Sequence, residues 1–200
     1  MCIRDRIRKD ILRNAGIDFD VIVKPVDESA IKEAMLADNA PLKDIADALA
    51  ESKSVRVSQQ NSGLVIGADQ IMVMDDKLYD KPSSLTEAKE RLLLMRGNTH
   101  FLMGAVVISE NGIPVWRYLS KTKLTMRFFS EKFIDEYIGQ EGESLLKSVG
   151  ASKFEGRGSQ LFSDVKGDFF SILGLPLLPC LLYTSPSPRD ATLSRMPSSA

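Results

Sequence analysis

The chain has 200 residues, 44% apolar and 26% charged, enough for one globular domain, or a two-lobed one, with a core of its own. Its 26 Lys and Arg against 27 Asp and Glu leave a net charge of −1. There is thus no whole-molecule field for nucleic acid, and an anionic ligand has to be captured by local groups. One histidine, and two cysteines near opposite ends, exclude a Cys/His zinc site; no apolar run reaches the ~18 residues of a membrane span. The N-terminus is charged and lacks the apolar segment of an export signal, so a cytoplasmic location is expected.

In chain order, residues 7–15 predict a short helix stopped by Gly16, and 19–23 alternate like a strand running into Lys24-Pro25. Asp27-Glu28-Ser29 predicts a turn and helix start. Leu42, Ile45, Ala46, Leu49 and Ala50 recur at helical spacing within 41–57. A buried strand over 63–67 is expected to end at Ala68-Asp69-Gln70 and to resume at 71–74, before a turn at Asp75-Asp76-Lys77. Thr86 is expected to cap a helix through Met95 that Gly97 terminates. Two apolar runs, 99–109 and 114–125, flank Asn111-Gly112, a hairpin signal. Ser130 should cap a helix through Ile138, and 150–158 form a glycine-bearing loop. Strands alternate with helices, so the expected class is α/β with a mixed sheet. Residues 183–200 are rich in Ser, Pro and Arg, and residues 1–6 are charged; both ends are expected to be disordered or foreign to the domain at 7–182.

Asp69 is the sharpest chemical candidate: a carboxylate directly after a buried strand is held rigidly, as a metal ligand or general base must be. Taken alone, a strand-end Asp in an Asx-turn is the commoner situation. Asp27-Glu28 and Gly167-Asp168 supply further carboxylates, and Mg²⁺ needs only one or two of these beside substrate phosphates. Either Asp27 or Glu28 could instead serve a helix N-terminus. Arg8, Lys9, Lys53 and Lys81 offer cations for phosphate, though each type is more often a solvated surface charge. Glu155, among glycines, offers acceptors to the edge of a flat base; a mobile loop explains the same glycines. His100 has no triad partner near it in sequence and reads as structural.

The series Arg8-Lys9-x-x-Leu12, Asp27-Glu28, Lys53, Gly67-Ala68-Asp69-Gln70, Lys81-Pro82, Glu87-Ala88, Glu155-Gly156, Gly167-Asp168 and Gly174-Leu175-Pro176-Leu177 resembles the Maf proteins over about 7–182. The resemblance implies an α/β fold with an elongated, curved mixed sheet flanked by helices, its two lobes enclosing a nucleotide cleft. It implies hydrolysis of nucleoside triphosphates to the monophosphate and pyrophosphate with Mg²⁺, Mn²⁺ or Co²⁺, a homodimer, and links to septum formation and to removal of non-canonical nucleotides. The proton acceptor of the family falls on Asp69, its acidic metal-site residues on Glu28, Asp69 and Asp168, and its phosphate-binding cations on Arg8, Lys9, Lys53 and Lys81. Positions tied to substrate choice fall on Arg8, Gln70 and Glu155. Gln70 and Glu155 look more like the branch that prefers 7-methyl-GTP, or a broader nucleotide pyrophosphatase, than the branch for dTTP and UTP. Two other activities stay open: a nucleotide-binding regulator of cell division without hydrolysis, and an inosine or xanthosine triphosphate pyrophosphatase. The chain departs from the family at 1–6, where a strand and a Ser-rich phosphate loop are usual, and at Ser152, where an aromatic is common.

Overall fold

The computed structural model describes residues 6–184; the expectations for 1–5 and 185–200 lie outside the described residues. Five strands form one open sheet in the order β2-β1-β3-β4-β5: β1 (Val65–Met74), β2 (Lys77–Tyr79), β3 (Thr99–Glu110), β4 (Ile113–Met126) and β5 (Phe162–Lys166). Every pairing among the described residues is antiparallel, where a mixed sheet was expected. The sheet is flanked by α1 (Arg6–Asn14), α2 (Glu28–Ala37), α3 (Leu42–Ser58), α4 (Leu85–Met95), α5 (Glu131–Glu141), α6 (Phe169–Ile172) and α7 (Leu177–Thr184). The class is α/β, as expected. None of these helices is long and apolar enough to cross a membrane.

The long hairpin β3–β4 forms where Asn111 and Gly112 take positive φ of 51° and 81°, the left-handed pair that a tight two-residue turn requires. Ser130 caps α5, accepting from Phe133 N at 3.2 Å. The cap of α4 is Ser84 rather than Thr86: its hydroxyl accepts from Glu87 N, while the Glu87 carboxylate reaches back to Ser83 N at 2.7 Å. That reciprocal arrangement satisfies two end donors and outcompetes a Thr two residues on. Residues 19–23 form no strand. Ile17 and Phe19 instead pack against the α1–α7 cluster, so the alternation there reflects partial burial.

α3 carries Ile45, Ala46, Leu49, Ala50 and Val57, all fully buried, as one apolar stripe. It lies on one face of the sheet against Ile71, Val73, Ala105 and Val107. The other face holds two groups of helices. At one end Leu92 of α4 and Tyr137 of α5 cover Met72 and Leu124; at the other, α1 and α7 cover Ala68, Val106 and Ile108. Contact between α3 and β1 depends on Gly67: a Cβ there would stand 2.7 Å from Ser54 N and also strike the Ala50 carbonyl, both backbone atoms of α3. Gly67→Ala should therefore push strand and helix apart at a cost of about 2–3 kcal/mol, lowering Tm by roughly 5–10 °C in a thermal melt. An unchanged melt would show that the interface yields freely.

β1 is one unbroken strand, correcting the expectation that it ends at Ala68-Asp69-Gln70. Asp69 pairs with Ala105 and Gln70 with Gly104, deep in the ladder with β3. Alternation sends these neighbours to opposite faces, Asp69 toward α3 and Gln70 toward α6. β2 pairs β1 only at Met72, Val73 and Met74.

Candidate active site

Lys53 projects from the last third of α3 onto the Asp69 face of β1. Its ammonium donates to Asp69 Oδ1 at 2.6 Å and lies 2.9 Å from Glu28 Oε1. The side chains of Lys53 and Asp69 are 14% and 13% exposed, that of Glu28 46%. This is a sheltered pair with a third charge at its mouth. Glu28 is delivered by the start of α2, where its neighbour Asp27 caps the helix by accepting from Ala30 N at 3.0 Å. The two acidic residues thus divide the work: Asp27 shapes the backbone and Glu28 faces the site. Burial alone would raise the Glu28 carboxyl; the Lys53 hydrogen bond, with the charges of Lys53, Lys32 and Lys81, outweighs it and holds the group below its ordinary 4.5. Lys81 is exposed on the loop between β2 and α4 and adds to this field at a distance.

Arg8 reaches from α1 to the Ala68 carbonyl at 2.9 Å, beside Asp69 in sequence, while its buried Nε has no hydrogen-bond partner among the described residues. Gly174 leaves room for that guanidinium, since a Cβ there would lie 2.9 Å from Arg8 Nε. Lys9 is half-buried on the same helix.

Gln70 belongs to the opposite face. Its Nε2 donates to the Ser171 carbonyl at 2.8 Å, so α6 fixes its amide. Asp168 caps that helix, accepting from Ser171 N at 2.8 Å and Ser171 Oγ at 3.0 Å. Asp168 therefore supports the Gln70 contact, and the structure does not gather it with Glu28 and Asp69. Among the described residues no group of three His, Cys, Asp or Glu is placed to hold a metal.

The 150–158 loop is pinned. Lys153 N donates to the Tyr137 hydroxyl at 3.1 Å, Lys153 Nζ pairs with Glu141 at 2.9 Å, and Gly158 packs where a Cβ would meet the Lys153 backbone. Phe154 is held at centroid distances of 5.4 Å from Phe162 and 6.0 Å from Phe169. Glu155, next to it, is exposed. Sequence reasoning passed over Arg91, which is buried on α4 and bonds the carbonyls of Asp80 and Val149, tying the Lys81 loop to the 150s loop. Its signal was available: Arg91 sits on the apolar stripe of Ala88, Leu92 and Met95, where a charge needs partners.

The donor set at Lys53 fits a hard divalent cation: two carboxylates from different elements already converge on one positive centre, and such ions use one or two carboxylates beside phosphate oxygens. A family model described as Maf-like protein matches residues 5–183. The chain belongs to the Maf family. A nucleoside triphosphate pyrophosphatase of Caulobacter vibrioides is 49% identical over 174 residues, 87% of each chain. One from Paramagnetospirillum magneticum is 50% identical over 172 residues, covering 86% of this chain and 89% of that one. A 7-methyl-GTP pyrophosphatase of Brucella abortus is 42% identical over 175 residues, 87% of this chain and 88% of its own.

Proposed function

We propose that this Maf protein hydrolyses nucleoside triphosphates between the α- and β-phosphates. The observation that carries the reading is the convergence of Asp69 and Glu28 on the largely buried Lys53, in a chain whose relatives bear the pyrophosphatase name. Water attacks the α-phosphorus, the bond to the bridging α–β oxygen breaks, and pyrophosphate leaves. Asp69 takes the proton of the attacking water. An incoming polyphosphate competes with the two carboxylates for Lys53; moving toward the departing phosphates, Lys53 releases Asp69 to act as base. Lys81, with Arg8 and Lys9 of α1, adds positive charge where negative charge builds. Glu28 and Asp69 would hold a divalent cation, which when bound neutralises charge on the phosphate oxygens. Asp168 acts through α6, fixing the Ser171 carbonyl that holds Gln70. Pyrophosphate release from a nucleotide panel, with and without Mg²⁺, tests the reaction. Nucleotide binding without release under every metal condition would leave a binding module in its place.

Within that reading, guanine-type bases are the favoured substrates. Glu155 presents only acceptors, and a guanine edge presents the N1–H and N2–H₂ donors; the Brucella relative named for 7-methyl-GTP supports this choice. Combining Glu155→Gln with Gln70→Thr should shift kcat/KM toward pyrimidine nucleotides by about tenfold or more. A parent protein that prefers dTTP to every guanine nucleotide would overturn the assignment.

A further inference from the structure

His100 lies on β3 with Leu102 and Gly104 on the Gln70 face, since Gly104 pairs directly with Gln70 and residues two apart share a face. It is 1% exposed, and its Nδ1 is buried with no hydrogen-bond partner among the described residues. Buried polar atoms are nearly always paired, so an unpaired one needs a reason. If the ring only filled space between Leu102 and Leu124, an apolar side chain would do so without an orphaned nitrogen. The imidazole borders a cavity of about 30 Å³ together with Gln70, Ser148, Ser152, Phe154 and Phe162. That volume admits one water-sized group, such as an exocyclic oxygen or amino group, and is too small for a ring. Gln70, at the same cavity, has its amide nitrogen committed to the Ser171 and Ile172 carbonyls and so offers its carbonyl. Aromatic rings form part of the wall: Phe162 stands 6.0 Å from His100, and Phe154 packs against Phe162.

We propose that His100 is a specificity-determining residue whose ring hydrogen-bonds the exocyclic group of a nucleobase entering beside Gln70. The proposal rests on the reading of the chain as a nucleotide hydrolase and adds to it a group on the inner wall of the base site. Burial lowers the His100 pKa to about 4, so the ring is neutral near pH 7 and carries one donor and one acceptor. A base whose inserted atom has no group complementary to the ring would leave both without a partner, which is how a buried hydrogen-bonding site rejects analogues.

The chain contains a single histidine, so the imidazole signals of a ring-¹⁵N-labelled sample belong to His100 without assignment. GMP should move those signals, while ribose 5-phosphate and tripolyphosphate, which have no base, should leave them in place. Calorimetric binding of GMP with unmoved His100 signals would overturn the proposal. In kinetics, His100→Leu should raise KM for GTP by about tenfold or more with a smaller fall in kcat, and His100→Asn should recover part of the loss. Equal losses on all nucleotides, following a lowered Tm, would mean a packing role and overturn the proposal. If the parent chain hydrolyses no nucleotide, the functional reading fails by itself, and the base-dependent shift still decides the role of His100.

Discussion

Asp69→Asn should lower turnover by about 10²-fold or more, because the amide keeps the shape of the carboxylate but cannot accept a proton from water. The fold should tolerate it. Asn retains an oxygen to accept from Lys53, and Glu28, 2.9 Å from the same ammonium, still balances the charge. The expected stability loss is about 1–2 kcal/mol, well under that of stranding a charge in a dry core. Steady-state pyrophosphate release and a urea melt, run on the same preparation, separate the two effects. Turnover near that of the parent would take the base role from Asp69; a variant that fails to fold would show that the Lys53 pair carries structure before chemistry.

Acid should destabilise the protein in two distinguishable steps. His100 has its folded pKa lowered from 6.5 to about 4 by burial. Between those values the unfolded chain binds a proton that the folded chain refuses, so stability is complete above pH 6.5 and drains away as pH falls toward 4. At 1.36 kcal/mol per unit the loss is about 3 kcal/mol at most. Glu28, lowered in the fold, contributes stability above its ordinary 4.5 that is lost as pH falls below it. Urea midpoints taken across pH 7.5 to 3.5 should show the upper step in the parent and not in His100→Asn. An upper step that survives in the variant would trace it to other groups.

The local parts of this fold are legible in the sequence. Asn111-Gly112 dictates the hairpin, the stripe from Ile45 to Ala50 dictates α3, and Ser130 its helix start, because each is decided within a few residues. Asp69 was found by its setting after an apolar run, yet misplaced at a strand end. Two polar residues in the middle of β1 are tolerated only because Lys53 meets one and the Ser171 carbonyl the other, partners 16 and 101 residues away. Asp168 shows the reverse: a carboxylate expected at a metal site is used by the structure as the cap of α6, a role set by the short helix that follows it. The orphaned nitrogen of His100 had no sequence signal, since an unpaired atom is defined by what surrounds it.

One peptide bond separates the residue proposed to do chemistry from the residue proposed to sense the base, and the two face away from each other across the sheet. A ligand meeting both has to straddle the stretch of β1 before Met72, which β2 leaves uncovered. The two tasks are therefore geared together. Inserting or deleting a single residue in β1 ahead of Asp69 would turn the carboxylate toward α6 and send the amide toward Lys53, exchanging their surroundings at one stroke. On that proposal, substrate preference can drift by replacing the side chain at 70, whereas a one-residue change of strand length upstream should disturb both tasks at once.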